Sequence, residues 1–294
     1  MHARQILPRI TPLLLLCGLM ACAKADKPPA TESAAAATAT PSSTAPPVIT
    51  IVARDFAYDA PDTITAGMVT LKLVNKGPEL HHVQIFRFTG GKTYADFMAG
   101  MKNIKPGVPL PPWIEVVAGP NTPVPGGEMS ITEELTAGNY ALACMIPSAD
   151  HMPHFAKGMT KSLTVLPATG ATAAAPVSDI TVKMTDYAWD ITPAISAGKH
   201  TIRLENLAGQ EHEMFFVRLE KGKTPMQVAE WAENPVGPPP GVPLGGTSGM
   251  AKGGVVYVPI DFTPGEYALL CFIADAKDGK PHFLHGMMKA FTVT

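Results

Sequence analysis

Leu135-Thr136-Ala137-Gly138-Asn139-Tyr140-Ala141-Leu142-Ala143-Cys144 returns 127 positions later as Phe262-Thr263-Pro264-Gly265-Glu266-Tyr267-Ala268-Leu269-Leu270-Cys271. In both, a turn glycine leads into a short apolar run that ends on a cysteine, the pattern of a strand. Upstream the likeness continues at an offset of 131: Asp55-Phe56-Ala57-Tyr58-Asp59 matches Asp186-Tyr187-Ala188-Trp189-Asp190, and Thr65-Ala66-Gly67 matches Ser196-Ala197-Gly198. Asn75 then matches Asn206, His81 matches His212, and Gly91-Lys92-Thr93 matches Gly222-Lys223-Thr224. Register held this long makes the chain two copies of one unit.

Each copy is a series of short alternating or β-branched runs, such as residues 49–53, 69–74 and 161–166, set between Gly and Pro turns. The pattern predicts an all-β protein of two tandem Greek-key sandwiches. Each has one short helix, because Thr93-x-x-Asp96 and Thr224-x-x-Gln227 are capping-box starts. Tyr94, Phe97, Met98 and Met101 follow at helical spacing and read as core packing. The proline-rich segments 109–113 and 238–243 are expected to wrap the surface rather than enter strands. An Ala/Thr/Gly/Pro run separates the copies, which gives domains over 48–166 and 178–294 and a linker over 167–177.

Residues 1–21 read as an export signal: Arg4 and Arg9 precede the apolar run Leu13-Leu14-Leu15-Leu16. Leu19-Met20-Ala21-Cys22 resembles the bacterial lipobox, which implies lipidation at Cys22 and a membrane anchor. Residues 22–47 carry almost only small polar residues, Ala and Pro, a tether too poor in apolar surface to fold. With 23 basic against 25 acidic residues and no cationic block, nucleic acid is not an expected partner. Only Cys144 and Cys271 remain for the folded part, and as equivalent positions they read as one metal ligand per copy rather than a bridge.

After each cysteine comes a His/Met cluster, His154-Phe155-Ala156-Lys157-Gly158-Met159 and His282-Phe283-Leu284-His285-Gly286-Met287. Strand alternation supplies one more histidine, since His81, Val83 and Ile85 share one face and His82 and Gln84 the other. In the second copy His212, Met214 and Phe216 take the first face, and Glu213 stands where His82 does. The candidate ligands are therefore His81, Cys144, His154 and Met159, and His212, Cys271, His282 and Met287. Two imidazoles, a thiolate and a weak thioether are the donors of a copper electron-transfer site. His151 and His285 do not align and read as loop residues; Met145, Met152 and Met288 read as packing. Tyr140 and Tyr267, following a Gly turn, read as structural strand-end tyrosines.

Asn75 with His81, Leu-x-x-Gly-x-Tyr-x-x-x-Cys at 135–144 and His154-x4-Met159 resemble the cupredoxin family, over nearly all of each copy. The resemblance implies a cupredoxin-like sandwich with one copper ion per copy. The gap from cysteine to histidine is longer than in small cupredoxins and resembles the blue-copper domain of copper nitrite reductases. That family has a histidine directly before the cysteine for a catalytic copper, and here Ala143 and Leu270 hold those places. The resemblance therefore implies a carrier and not an enzyme: a tethered electron-transfer protein facing the periplasm or cell surface, with a redox partner protein at the ligand-loop end. Copper storage, delivery or resistance, and a metal-free interaction module, are the competing functions.

Overall fold

In a computed structural model of the protein, residues 45–102, 104 and 108–294 are described, and the repeat becomes two sets of strands. The first comprises β1 (Val48–Arg54), β2 (Ala57–Asp59), β3 (Thr63–Thr65), β4 (Gly67–Asn75), β5 (Gln84–Phe88), helix α1 (Tyr94–Met101), β6 (Ile114–Val117), β7 (Glu128–Leu135), β8 (Gly138–Ala143) and β9 (Thr160–Leu166). The second comprises β10 (Ile180–Thr185), β11 (Ala188–Thr192), β12 (Gly198–Asn206), β13 (His212–Leu219), helix α2 (Pro225–Glu233), β14 (Gly241–Met250), β15 (Val255–Phe262), β16 (Gly265–Leu270) and β17 (Met288–Val293). The expected export signal, Cys22 and most of the tether lie outside the described residues. No described helix is long and apolar enough to cross a membrane.

Alternation builds the layers. In β4, Val69, Leu71, Leu73 and Asn75 are buried while the residues between them are half-buried, the period of a strand with one face on a core. Burying side chains such as Leu71 and Leu73 contributes about 1.5–3 kcal/mol each. Strands β2-β1-β4-β7 form one layer of the first copy and β3-β9-β8-β5-β6 the other, and their inward residues share one core. The second copy repeats this with β11-β10-β12-β15 and β14-β13-β16-β17. The two strand-end tyrosines close a corner as expected: Tyr140 Oη donates to the Thr136 carbonyl and Tyr267 Oη to that of Thr263, both at 2.7 Å. Both helices carry complete capping boxes, and Phe97 and Met101 of α1 are buried.

The copies are fused rather than merely linked. β7 pairs antiparallel with β15 through Thr132–Tyr257 and Glu133–Val256, so two layers join in one eight-stranded sheet. One expectation changes for this reason. The segment 238–243 is expected on the surface, yet its residues 241–243 open β14, an edge strand broken by a register shift near Pro243, with most of its residues buried. An edge is where a strand tolerates proline, and here the first copy covers it: Ser248 Oγ donates to the Val83 carbonyl at 3.0 Å and Gln84 Nε2 to that of Gly249 at 3.0 Å. The same cover buries His82 and Gln84, so both faces of the segment carrying His81 are closed to solvent.

Candidate metal centre

Each cysteine sits one residue past the end of a central strand, β8 or β16, and the long loop after it returns. In the first copy a bridge between Pro147 and Pro153 pinches off the extra residues as a side excursion. His154 N then donates to the Ile146 carbonyl at 2.9 Å and Phe155 N to that of Cys144 at 2.8 Å. In the second copy the bridge is Ala274–Pro281, with His282 N on the Ile273 carbonyl and Phe283 N on that of Cys271, both at 2.9 Å. The added length therefore leaves each histidine beside its cysteine. One turn of 3-10 helix follows, His154–Lys157 or His282–His285, and reverses at Gly158 (φ 107°) or Gly286 (φ 118°). That left-handed turn favours glycine. It lets Met159 N bond the His154 carbonyl while the Met159 carbonyl accepts from Cys144 N, and Met287 makes the same pair. Both methionines are fully buried.

The donors converge. His81, Cys144 and His154 form one group with ligand atoms within 4.8 Å of one another, and His212, Cys271 and His282 another; all six residues are buried. His81 Nδ1 and His154 Nδ1 face each other at 3.1 Å, with Cys144 Sγ 3.4 Å from the latter. The matching distances in the second copy are 3.0 and 3.5 Å. Burial pushes the Cys144 thiol up to about 12 and raises that of Cys271 as well, so each thiolate needs a cation beside it. Burial also lowers His154, His212 and His282, the last to about 4 with help from His212, which keeps the imidazoles neutral and able to ligate.

Carboxylates occupy the far sides of the rings. His81 Nε2 bonds Asp55 Oδ1 at 2.9 Å and His154 Nε2 bonds Glu79 Oε2 at 2.9 Å. In the second copy His212 Nε2 meets Asp186 Oδ1 at 3.3 Å, while His282 Nε2 has no hydrogen-bond partner and stands 3.5 Å from Asp275 Oδ2. A carboxylate on Nε2 holds the proton there and leaves the Nδ1 lone pair for a metal. Two such lone pairs facing one another across 3.1 Å beside a thiol suit a bound cation, and the mixed imidazole and sulfur set suits copper.

The sequence shows the Asp-aromatic-Ala segment only as a repeat, and the structure shows what it does. Asp55 and Asp186 are those carboxylates. Phe56 packs edge-on against the His154 ring at 5.3 Å, and Tyr187 against His282 at 5.7 Å. Both aromatics sit at positive φ, 61° and 66°, a costly backbone state for such residues that recurs at equivalent positions. The repetition of the pentapeptide beside no obvious core pattern was the available signal.

His82 and Glu213 are not members of the triads but serve the loops. The amide of Met145 donates to His82 Nε2 at 2.9 Å, and that of Phe272 donates to Glu213 Oε1 at 2.6 Å. Burial lowers His82 to about 3 and raises Glu213 to about 7, the latter partly relieved by the Phe272 amide and Asn121. His151 is exposed, whereas His285 lies 3.1 Å from Asp278, in a group that also includes the buried Asp275. Met145 and Met288 pack as expected; Met152 does not and is half exposed.

No family model and no curated protein matches the chain. Among solved structures it is similar to dithionite-reduced auracyanin from Roseiflexus castenholzii, at 26% identity over 42% of this chain and 100% of that one, TM-score 0.29. It is also similar to a multicopper oxidase, at 16% identity over 84% of this chain and 88% of that one, TM-score 0.23. A Cu-containing nitrite reductase from Thermus scotoductus matches at 12% identity over 85% of this chain and 62% of that one, TM-score 0.24. On its sheet architecture and its strand-end triad, each half of the chain is a cupredoxin-like β-sandwich with a buried His–Cys–His group that could hold a metal ion.

Proposed function

We propose that this chain is an exported, membrane-tethered carrier of electrons with one copper ion in each copy. The observation that supports it most is the twofold occurrence of facing Nδ1 atoms beside a buried cysteine sulfur, sealed from solvent. His81, Cys144 and His154 would hold the first ion with Met159 as a weak thioether donor, and His212, Cys271 and His282 the second with Met287. Bound copper supplies a reversible one-electron couple, stable in both states on mixed nitrogen and sulfur donors.

The chain's own residues do the rest. Asp55 and Glu79 orient the imidazoles of the first site through their Nε2 protons. The packed strand ends hold cysteine and histidine in one geometry, so little reorganises when the charge changes. Buried Ala143 and Leu270 precede the cysteines and offer no ligand to a second metal, which favours carriage over catalysis. Lipidation at Cys22 would tether the chain to a membrane facing the periplasm or cell surface, and a redox partner protein would dock where the ligand loops emerge.

The test is a copper titration followed by visible absorption and paramagnetic resonance, with Cys144→Ser and Cys271→Ser alongside. An intense thiolate-to-copper band at two equivalents, halved in each variant, is expected. No such band at saturating copper would overturn the carrier and leave delivery or a metal-free module.

A further inference from the structure

The residues that join the copies also join the two cysteines. From Cys144 the peptide continues to Met145, whose N–H donates to His82 Nε2 at 2.9 Å. From the His82 ring the chain runs to Val83, whose N–H donates to the Pro120 carbonyl at 2.9 Å. Pro120 is bonded to Asn121, and Asn121 Nδ2 crosses to the second copy, donating to Glu213 Oε2 at 3.2 Å. Glu213 Oε1 accepts from Phe272 N at 2.6 Å, and Phe272 is bonded to Cys271. The path is thus covalent except for four hydrogen bonds, and His82, Asn121 and Glu213 are all buried. Asn121 is further pinned by a bond to the Thr247 carbonyl at 3.0 Å, while its Oδ1 accepts from Thr122 N at 2.8 Å.

His82 and Glu213 differ in chemistry at equivalent positions, yet each accepts the amide next to its cysteine. A core position alone asks for neither an imidazole nor a carboxylate, since a buried polar group must find partners to offset its desolvation. Each finds them along this one line. Hydrogen bonds between buried groups are short, oriented contacts, and the one from Asn121 to Glu213 carries the route traced above from one copy to the other.

We infer that the two copper sites exchange electrons within one molecule along Cys144–Met145···His82–Val83···Pro120–Asn121···Glu213···Phe272–Cys271, with Asn121 as the junction between copies. This rests on the copper reading. One copper(I) becomes copper(II) as the other copper(II) becomes copper(I); no proton and no other reactant is consumed.

The test delivers less than one electron per molecule to the fully oxidised two-copper protein by pulse radiolysis and follows both copper(II) signals by rapid freeze-quench paramagnetic resonance. Each signal is assigned from the Cys→Ser variant that lacks the other site. A first-order redistribution whose rate is independent of protein concentration is expected. Asn121→Leu, or Asn121→Ala should the leucine not fold, slows it at least tenfold while both signals and their final partition persist. Gln84→Leu, which breaks a contact across the same interface off the path, leaves the rate within twofold. A rate proportional to protein concentration, or Asn121 variants within twofold of the native rate, would overturn the relay and leave the copper sites standing. Absence of both signals in the native protein would overturn the copper reading itself, and the relay with it.

Discussion

In the first copy both triad histidines are held by carboxylates at 2.9 Å, Asp55 and Glu79; in the second the matching contacts lengthen to 3.3 and 3.5 Å. The sequence difference behind this is small. Gly77 of the first copy aligns with Ala208 of the second, and a Cβ on Gly77 would stand 2.4 Å from Asp55 Oδ1 and 2.6 Å from His81 Nε2. Glu79 aligns with Gln210, which cannot supply a carboxylate. Gln210 Nε2 instead donates to Asp275 Oδ2 at 3.0 Å, alongside the Tyr187 hydroxyl. Those bonds, Tyr187 first, hold Asp275 well below the usual carboxylate range. The same inner triad is thus carried by two different outer layers, which teaches that the inner donors set which ion fits and the outer ones set how firmly the rings are held.

The comparison breaks most sharply at Gly77. Gly77→Ala drives a methyl group into the Asp55–His81 pair and is expected to cost about 3 kcal/mol, with weakened copper binding at the first site only. Ala208→Gly frees space instead and is expected to cost under about 1 kcal/mol. Chemical denaturation and copper titration of the two variants decide it; equal losses would mean the glycine is not what brings Asp55 close.

His82 and Glu213 sharpen the comparison through pH. Glu213, raised from 4.5 to about 7, keeps its proton in the folded chain where the unfolded chain has lost it, a contribution full below pH 4.5 and lost as pH rises through 7. His82, lowered from 6.5 to about 3, acts in the opposite sense: its contribution is full above pH 6.5 and lost as pH falls toward 3. Glu213→Gln should therefore stabilise the metal-free protein near pH 8 by roughly 2 kcal/mol after the loss of one hydrogen bond, and confer no gain below pH 4.5. Denaturant melts across that range measure it, and a gain independent of pH would contradict the assignment.

Asp55→Asn should lower copper affinity at the first site by about tenfold, and Asp186→Asn should do less at the second because its contact is already long. Competition with a chelator reads both, and a larger effect at Asp186 would reverse the ordering. The smallest effect is expected where the copies agree. Tyr140→Phe and Tyr267→Phe each remove one 2.7 Å hydrogen bond and should each cost about 1 kcal/mol in thermal unfolding.

Much of this was legible in the sequence because the repeat acts as its own control. A cysteine, two histidines and a methionine returning in one order singled out the candidate ligands, and alternation alone separated His81 from His82. The roles of Asp55, Glu79 and Asp275 were not legible, since a lone carboxylate has the same local pattern whether or not a ring lies beside it. The interface was hidden for a similar reason: proline in 241–250 argues against an interior strand and says nothing about an edge that another copy will cover.

The sequence by itself determined two β-sandwiches, their strand-end cysteines and the residues that could ligate, because these follow from local periodicity and from the repeat. Only the tertiary structure decided that the long loops pinch shut at Pro147–Pro153 and Ala274–Pro281, returning each histidine to its cysteine, and that β7 joins β15. Those contacts pair residues far apart in the chain, and whether they form depends on packing that no short window of sequence contains.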